Sequence, residues 1–269
     1  MTTWQGSVAF ITGGAQGIGL GIARALARRG VALAIVDIDE AALALARAEL
    51  SATTDVITRT LDVRDRDAYA AVADAVESEL GPVGLLFNNA GIAPYASLSK
   101  LTYEKWDLAL GVNIGGVVNG VQTFVPRMIE RGKGGYVVNT ASGAGLVAGS
   151  NVLYSTSKFA VVGLSESLKV AGAKYGIDVS VLCPGYVNTD ILKNTQAIGA
   201  DEPIVQPGAG GRESEAALAQ GASIDEVGEM VMAGMEAKAT WIQTDSMMKQ
   251  YIGMRTEMLL GSFASESAG

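Results

Sequence analysis

The chain of 269 residues contains no histidine and a single cysteine, Cys183. Without histidine, neither a Ser-His-Asp nor a Cys-His nucleophile can be assembled. A zinc site of Cys and His ligands cannot be built either. One cysteine forms no intrachain disulfide, which suits a reducing cytoplasm. Lysine and arginine number 20 against 28 aspartates and glutamates, a net charge of −8. With no basic stripe, neither nucleic acid nor an anionic membrane is an expected partner. No apolar run is expected to be long enough to span a bilayer, and the first strand begins near Ser7, leaving no room for a signal peptide. Proline is scarce (6 residues), and neither an internal repeat nor a low-complexity linker occurs.

What is present is ample core material, with 49% hydrophobic and 18% charged residues. The length suits one large α/β domain. Short apolar runs recur, and several end in a polar motif. Val8 to Ile11 reads as a buried parallel strand. It runs into Thr12-Gly13-Gly14-Ala15-Gln16-Gly17-Ile18-Gly19 and then an amphipathic helix closed by Gly30. Strand, glycine-rich turn and helix form the context for dinucleotide binding. Glycines let a pyrophosphate approach the backbone, and the helix N-terminus supplies N–H groups and positive potential. The spacing here is GxxxGxG rather than GxGxxG, and a plain tight turn is the competing reading.

A second strand, Val31 to Val36, ends at Asp37, 18 residues after Gly19. A carboxylate there accepts hydrogen bonds from the adenosine ribose hydroxyls and repels a 2′-phosphate. Ile38 follows and Gln16 sits in the glycine turn, so no cation is placed for that phosphate and NAD is favoured over NADP. The competing use of Asp37 is as a cap for the helix over 39–50.

Further strands are predicted at Val56 to Leu61, ending in Asp62-Val63, and at Val83 to Phe87, followed by Asn88-Asn89-Ala90-Gly91. A fifth, Gly135 to Thr140, delivers Ser142, and a sixth, Ile177 to Leu182, ends in Cys183-Pro184-Gly185-Tyr186-Val187-Asn188-Thr189. Helices are expected over 65–80, 104–131 and 152–175. Asn113, in the middle of the second, is unfavourable inside a helix. It is therefore a solvent-facing group, a satisfied core polar group, or a group projecting into a site. The alternation predicts a doubly wound, Rossmann-type, mostly parallel seven-stranded sheet in one domain. Right-handed crossovers bring the strand-end motifs to one rim.

Residues 190–223 break the pattern and are read as a long loop, a lid over the site. Helix returns at 224–238, Trp241-Ile242 makes a seventh strand, and 245–260 is helical with several methionines.

In Ser142 to Lys158, Tyr154 and Lys158 stand four apart on one face of a helix capped by Ser150 or Asn151. An ammonium beside a phenol and the positive end of a helix dipole both favour the phenolate. With the Ser142 hydroxyl on the same substrate oxygen, this makes a proton-transfer site for an alcohol or carbonyl. The competing reading is a buried tyrosine with a snorkelling lysine.

Taken together, TGGAQGIG, Asp37, Asp62-Val63, NNAG, Asn113, Ser142, YSTSK and PGYVNT resemble the short-chain dehydrogenase/reductase family, closely over 7–189 and loosely beyond. The resemblance implies roles. Tyr154 is the acid/base, and Lys158 lowers its pKa and holds the nicotinamide ribose. Ser142 polarises the substrate oxygen, and Asn113 anchors a relay water. Gly13, Gln16, Gly17, Ile18, Gly19 and Asp37 form the cofactor's phosphate and ribose cradle. Asp62 takes the adenine amino group, with Val63 beside it and Asn89 and Gly91 lining the adenosine side. Pro184, Gly185, Val187 and Thr189 hold the nicotinamide end. The implied reaction is hydride transfer between NAD and a secondary alcohol carbon.

Apolar and aromatic residues near the chemistry, among them Tyr95, Ala144, Tyr186 and Leu192, predict a hydrophobic secondary alcohol or ketone, aromatic ones included. The 190–223 insertion and altered tail faintly resemble members that oxidise benzylic alcohols of lignin-derived aryl ethers. Many tetrameric members end in a glycine-rich segment, replaced here by TDSMMKQYIGMRTEMLLG, so a homodimer on the helices of 104–131 and 152–175 is favoured over a tetramer. The alternatives are a β-keto thioester reductase using NADPH and a dinucleotide-sensing protein without turnover.

Overall fold

The computed structural model describes residues 4–198 and 208–263. Seven parallel strands form one sheet in the order β3-β2-β1-β4-β5-β6-β7. They are β1 (Val8–Thr12), β2 (Ala32–Asp37), β3 (Val56–Thr60), β4 (Val83–Asn88), β5 (Gly135–Thr140), β6 (Ile177–Cys183) and β7 (Trp241–Gln243). Strands β1, β2, β4, β5 and β6 are buried along most of their length, which explains why they read as continuous apolar runs rather than alternating ones, whereas β3 at the sheet's edge is buried only at Val56.

Helices cover both faces. On one, α1 (Gly17–Ala27), α2 (Glu40–Leu50) and α9 (Ile224–Glu236) enclose a core of Ile22, Leu26, Ile35, Leu43, Val227 and Met232. On the other, α3 (Arg66–Leu80), α4 (Tyr103–Leu110), α5 (Gly116–Arg131) and α6 (Val152–Gly172) cover the sheet. Phe10, Tyr69 and Phe124 cluster there with tilted and edge-on rings, Phe10 and Phe124 centroids 4.7 Å apart. This is the Rossmann-type, single-domain architecture expected from the alternation of elements.

The chain reverses its winding between β1 and β4, since β2 and β3 lie to one side and β5 to β7 to the other. The crevice beyond the carboxyl ends of strands at such a switch point is where open α/β sheets bind ligands.

Three sequence expectations need correction. Residues 190–223 are not a plain loop. They contain α7 (Ile191–Ile198) and α8 (Gly208–Ala219), while 199–207 lie outside the described residues. The inward face of α7 disguises itself because fully buried Thr195 stands in its middle. That hydroxyl donates to Ile191 O at 2.7 Å and accepts from Ala93 N at 2.8 Å, so it is satisfied without water. Second, the helix over 104–131 has a π-turn at Gly111–Gly115, the turn carrying Asn113. Third, Tyr103–Arg131 does have the length and apolarity to cross a bilayer, at a mean hydropathy of 1.4 in its most apolar 18 residues. Of that stretch 44% is buried inside the protein, as in a core helix. The tail forms α10 (Met248–Gly261).

Candidate active site

Strand β1 ends at Thr12, and its hydroxyl accepts the N–H groups of both Asn89 and Ala90 at 3.0 Å. The Asn89 side chain donates to Thr12 O and Gly13 O at 3.2 and 3.1 Å, and its own oxygen accepts from Thr140. Asn89 thus clamps the glycine turn to the ends of β4 and β5. Gly13 has φ +59°, and a Cβ there would stand 2.9 Å from Ala90 Cα. At Gly19 a Cβ would fall 2.1 Å from Gly13 O. The Gly19 requirement is therefore the tightness of the turn itself, with only Gly13 carrying the left-handed backbone cost among these two.

A cavity of about 260 Å³ opens at this switch point. Its walls include Gly13, Gln16, Gly17, Ile18, Asp37, Asp62, Val63, Asn89, Gly91, Tyr154, Lys158, Pro184 and Thr189. Six strand-end segments far apart in sequence thus meet around one space.

At one end stands Asp37. Its carboxylate accepts from Ile38 N (2.8 Å), Ala15 N (3.2 Å) and Asp39 N (3.3 Å). Burial nevertheless raises its pKa above the ordinary value, with the three N–H groups opposing. It is not the helix cap: Asp39 performs that task on Ala42 N at 3.0 Å. Beside it lies Asp62, its pKa lowered by the Arg64 guanidinium. Arg64 lines the same cavity and is a cation that sequence reasoning did not place there, although its charge is matched by Asp62. The only local signal was the D-x-R spacing. Val63 is buried, with its carbonyl accepting from Asn119 Nδ2 at 2.8 Å.

At the other end, Asn151 rather than Ser150 caps α6, accepting from Tyr154 N at 3.3 Å and donating to Pro94 O at 2.9 Å. Tyr154 is thereby fixed in the first turn. Its hydroxyl faces Ser142, whose Oγ accepts from Ala144 N at 3.1 Å. Lys158 Nζ lies 5.6 Å from the Tyr154 ring centroid and donates to Thr140 O at 3.0 Å. Burial lowers the Lys158 pKa to about 8. Burial also raises that of Tyr154, with only the Ser142 hydroxyl opposing. The expected lowering of the phenol is therefore not met in the protein alone, because desolvation of the phenolate outweighs its stabilisers.

Asn113 is a satisfied core amide. It exchanges hydrogen bonds with Ile92 N and O at 2.9 and 3.0 Å and donates to Ser157 Oγ at 3.0 Å. A Cβ on Gly91 would stand 3.2 Å from Asn113 Oδ1 and 3.3 Å from Lys158 Nζ, so the two groups flank Gly91.

Other expected residues support the cavity without forming its walls. Gly185 N donates to Thr244 Oγ1 at 3.1 Å, and Val187 is buried in a bridge to Ala222. Tyr95, Ala144 and Leu192 are half-buried and Tyr186 is exposed, all outside the cavity's lining. Sequence reasoning overlooked Asn194 of α7, which lines the cavity and donates to Gln16 Oε1 at 3.0 Å.

The residues fit a dinucleotide: a tight glycine turn opening a helix, a buried carboxylate at β2, and a proton donor–acceptor set at the far end of one continuous space. The arrangement can hold a substrate oxygen and exchange a proton with it.

Comparison with known proteins agrees. The pattern of the family described as short chain dehydrogenase matches residues 7–198. A C alpha-dehydrogenase from Sphingobium sp. (strain NBRC 103272 / SYK-6) is 36% identical over 90% of this chain and 81% of its own length. The 3beta-hydroxysteroid dehydrogenase 2 of Eggerthella lenta is 35% identical over 69% of this chain and 73% of its own. The crystal structure of a short chain dehydrogenase/reductase from Burkholderia phymatum in complex with NAD superposes with a TM-score of 0.90 at 31% identity, covering all of both chains.

Proposed function

The chain belongs to the short-chain dehydrogenase family, and on that footing we propose that this oxidoreductase uses NAD to interconvert a hydrophobic secondary alcohol, aromatic ones included, and its ketone. The observation that carries the reading is one cavity with Asp37 at one end and Tyr154 and Lys158 at the other.

The nicotinamide, when bound, supplies hydride acceptance and donation. The chain's own residues manage the oxygen. Tyr154 Oη takes the alcohol proton during oxidation and returns it during reduction. Ser142 Oγ, which faces Tyr154, orients the substrate oxygen. Lys158 is held by Thr140 O and brings positive charge against the tyrosine ring as the phenolate forms. Asn113 holds the 92 backbone and Ser157 in place behind these groups.

Asp37 supports NAD over NADP, since a buried carboxylate fed by three N–H groups repels a 2′-phosphate. Arg64 offers such a phosphate little because Asp62 already neutralises it. The substrate class is supported by the apolar Ile191 and Ile198 of α7 in the cavity wall and by a relative named for 3β-hydroxysteroids. We also propose a cytoplasmic homodimer through the faces of α4 to α6, where Tyr103 and Val170 stand exposed. Sedimentation of the purified protein tests that assembly.

The deciding experiment is NADH formation from NAD over a panel of aryl and alkyl secondary alcohols, beside NADP and beside Tyr154→Phe. Turnover with NAD that disappears in the variant is expected. Faster turnover with NADP would overturn the cofactor assignment, and activity surviving in Tyr154→Phe would overturn the mechanism.

A further inference from the structure

Two lines of side chains tie Tyr154 to the segment that follows Gly91. One is buried. Asn113 exchanges hydrogen bonds with both backbone groups of Ile92 and donates to Ser157 Oγ at 3.0 Å, and that hydroxyl donates to Tyr154 O at 2.8 Å. Ile92, Asn113 and Ser157 are all buried, so this line belongs to the core. The other line runs through Asn151, which is half-buried. Its Oδ1 accepts from Tyr154 N at 3.3 Å, while its Nδ2 donates to Pro94 O at 2.9 Å. Capping a helix requires only the first of these bonds.

The second bond reaches a segment held from its far side by another helix. Pro94 follows Ala93, whose N–H donates to Thr195 Oγ1 of α7 at 2.8 Å. Helix α7 supplies Ile191, Asn194, Ala197 and Ile198 to the cavity wall. Proline fixes its own φ and restricts the preceding residue to extended backbone. Ala93-Pro94 is therefore a stiff dipeptide, bonded to α7 at one end and to the turn of Tyr154 at the other. Apolar packing runs alongside, since buried Ala96 and Leu153 share one cluster.

We propose that Asn151 is a positioning residue for Tyr154: its amide joins the first turn of α6 to Ala93-Pro94, so that the seating of α7 against the cavity reaches Tyr154 through Thr195 and Asn151. Asparagine is the side chain this needs, because it carries a capping oxygen and a donor at once. The catalytic consequence, a phenol held firmly only when α7 is seated, rests on the oxidoreductase reading. The mechanical link does not.

The test uses the full chain as wild type, Asn151→Ser, Thr195→Val and the double variant. Serine caps a helix about as well as asparagine but carries no amide for Pro94 O. Amide hydrogen exchange is followed at 92–96 and at 152–156, with β5 amides reporting global opening. With Asn151 present, Thr195→Val should speed exchange in both segments by about fivefold relative to β5, the scale of one net hydrogen bond. In the Asn151→Ser background it should speed 92–96 alone. Asn194→Ala, which frees α7 from Gln16 and leaves Thr195 in place, should give the same pattern by a milder change. With an aryl secondary alcohol and NAD, each single variant should lower kcat about fivefold with little change in KM for NAD, and the double variant should lower it no further. Exchange at 152–156 that ignores Thr195→Val while Asn151 is present would overturn the proposal. So would an equal response in Asn151→Ser, which would assign the link to the buried Asn113 line, and so would additive losses in kcat. A wild type that turned over no alcohol would defeat the oxidoreductase reading alone, because exchange decides the link without catalysis.

Discussion

Asn194 on α7 donates its side-chain amide to Gln16 Oε1 in the glycine turn at 3.0 Å, so a helix following β6 is tied across the cavity to the loop following β1. Thr195 anchors the same helix from beneath by accepting from Ala93 N. The two bonds differ in exposure. Thr195 is fully buried, whereas Asn194 is half-buried and can exchange its partner for water.

Asn194→Ala should therefore loosen α7 without unfolding it. A net hydrogen bond is worth about 1 kcal/mol, or roughly fivefold in an opening equilibrium. Amide exchange across 191–198 should quicken by about that factor, and NADH should dissociate correspondingly faster. Thr195→Val leaves Ala93 N without its partner against a fully buried side chain and should cost about 1–3 kcal/mol of global stability. If the two variants showed the same global destabilisation, the tether would be part of the core rather than a closing contact.

Tyr154 gives a prediction in both mutation and pH. Burial raises its pKa, so phenolate is scarce near neutrality. Alcohol oxidation, which needs that base, should accelerate from pH 7 into the alkaline range, while ketone reduction, which needs the phenol, should slow. Tyr154→Phe should lower both by about 10² to 10⁴ and leave NADH binding intact. Matched initial-rate profiles in the two directions check it, and parallel slopes would contradict this assignment of the proton.

The succession of strands along the chain and the rim of motifs were legible because a parallel sheet buried on both faces writes itself as apolar runs ending in polar clusters. Asp37, Tyr154 and Lys158 could be read on the same logic, being polar groups where such runs end or at helical spacing. What escaped was interaction across distant segments. Asn194 lies 178 residues from Gln16, and nothing local distinguishes it from any polar helix residue. Arg64 looked like one more surface charge because its partner, two residues back, became meaningful only when both faced the cavity. The burial of the phenol was not legible, because spacing places Lys158 near Tyr154 but says nothing of how far both are desolvated.

Lys158 should carry a stability cost. Burial moves its pKa from 10.5 to about 8. Between those values the unfolded chain binds the proton and the folded chain does not, so stability rises with pH across that window. Below about pH 8 both states are protonated and the penalty is fully present, on the order of 3 kcal/mol before relaxation. Lys158→Met removes the charge but takes a donor from Thr140 O. The net gain at pH 7 should be about 1–2 kcal/mol with activity lost, a trade found at functional sites. Urea denaturation at pH 7 and at pH 10 checks both parts: the variant's advantage should shrink at the higher pH.

Asp37 offers the sharpest control of cofactor choice. Its three N–H donors hold the carboxylate in place while burial raises its pKa, so it takes up a proton at a higher pH than an exposed aspartate. As pH falls, the acceptor for ribose hydroxyls and the repulsion of a 2′-phosphate are lost together. NAD affinity should drop and NADP affinity should rise, beginning above the ordinary carboxylate range. Asp37→Ser with Ile38→Arg should produce the same inversion at neutral pH. Serine keeps a hydrogen-bonding group for the turn, and Ile38, half-exposed at the cavity wall, gives an arginine room to reach a phosphate. The ratio of kcat/KM for NAD over NADP should fall by roughly a hundredfold in the double variant, about 3 kcal/mol divided between lost repulsion and gained attraction. Asp39 must be left alone, because its carboxylate caps α2 and its loss would blur cofactor choice with helix stability. A double variant that lost NAD affinity without gaining NADP would mean that Asp37 holds the ribose but does not set the discrimination.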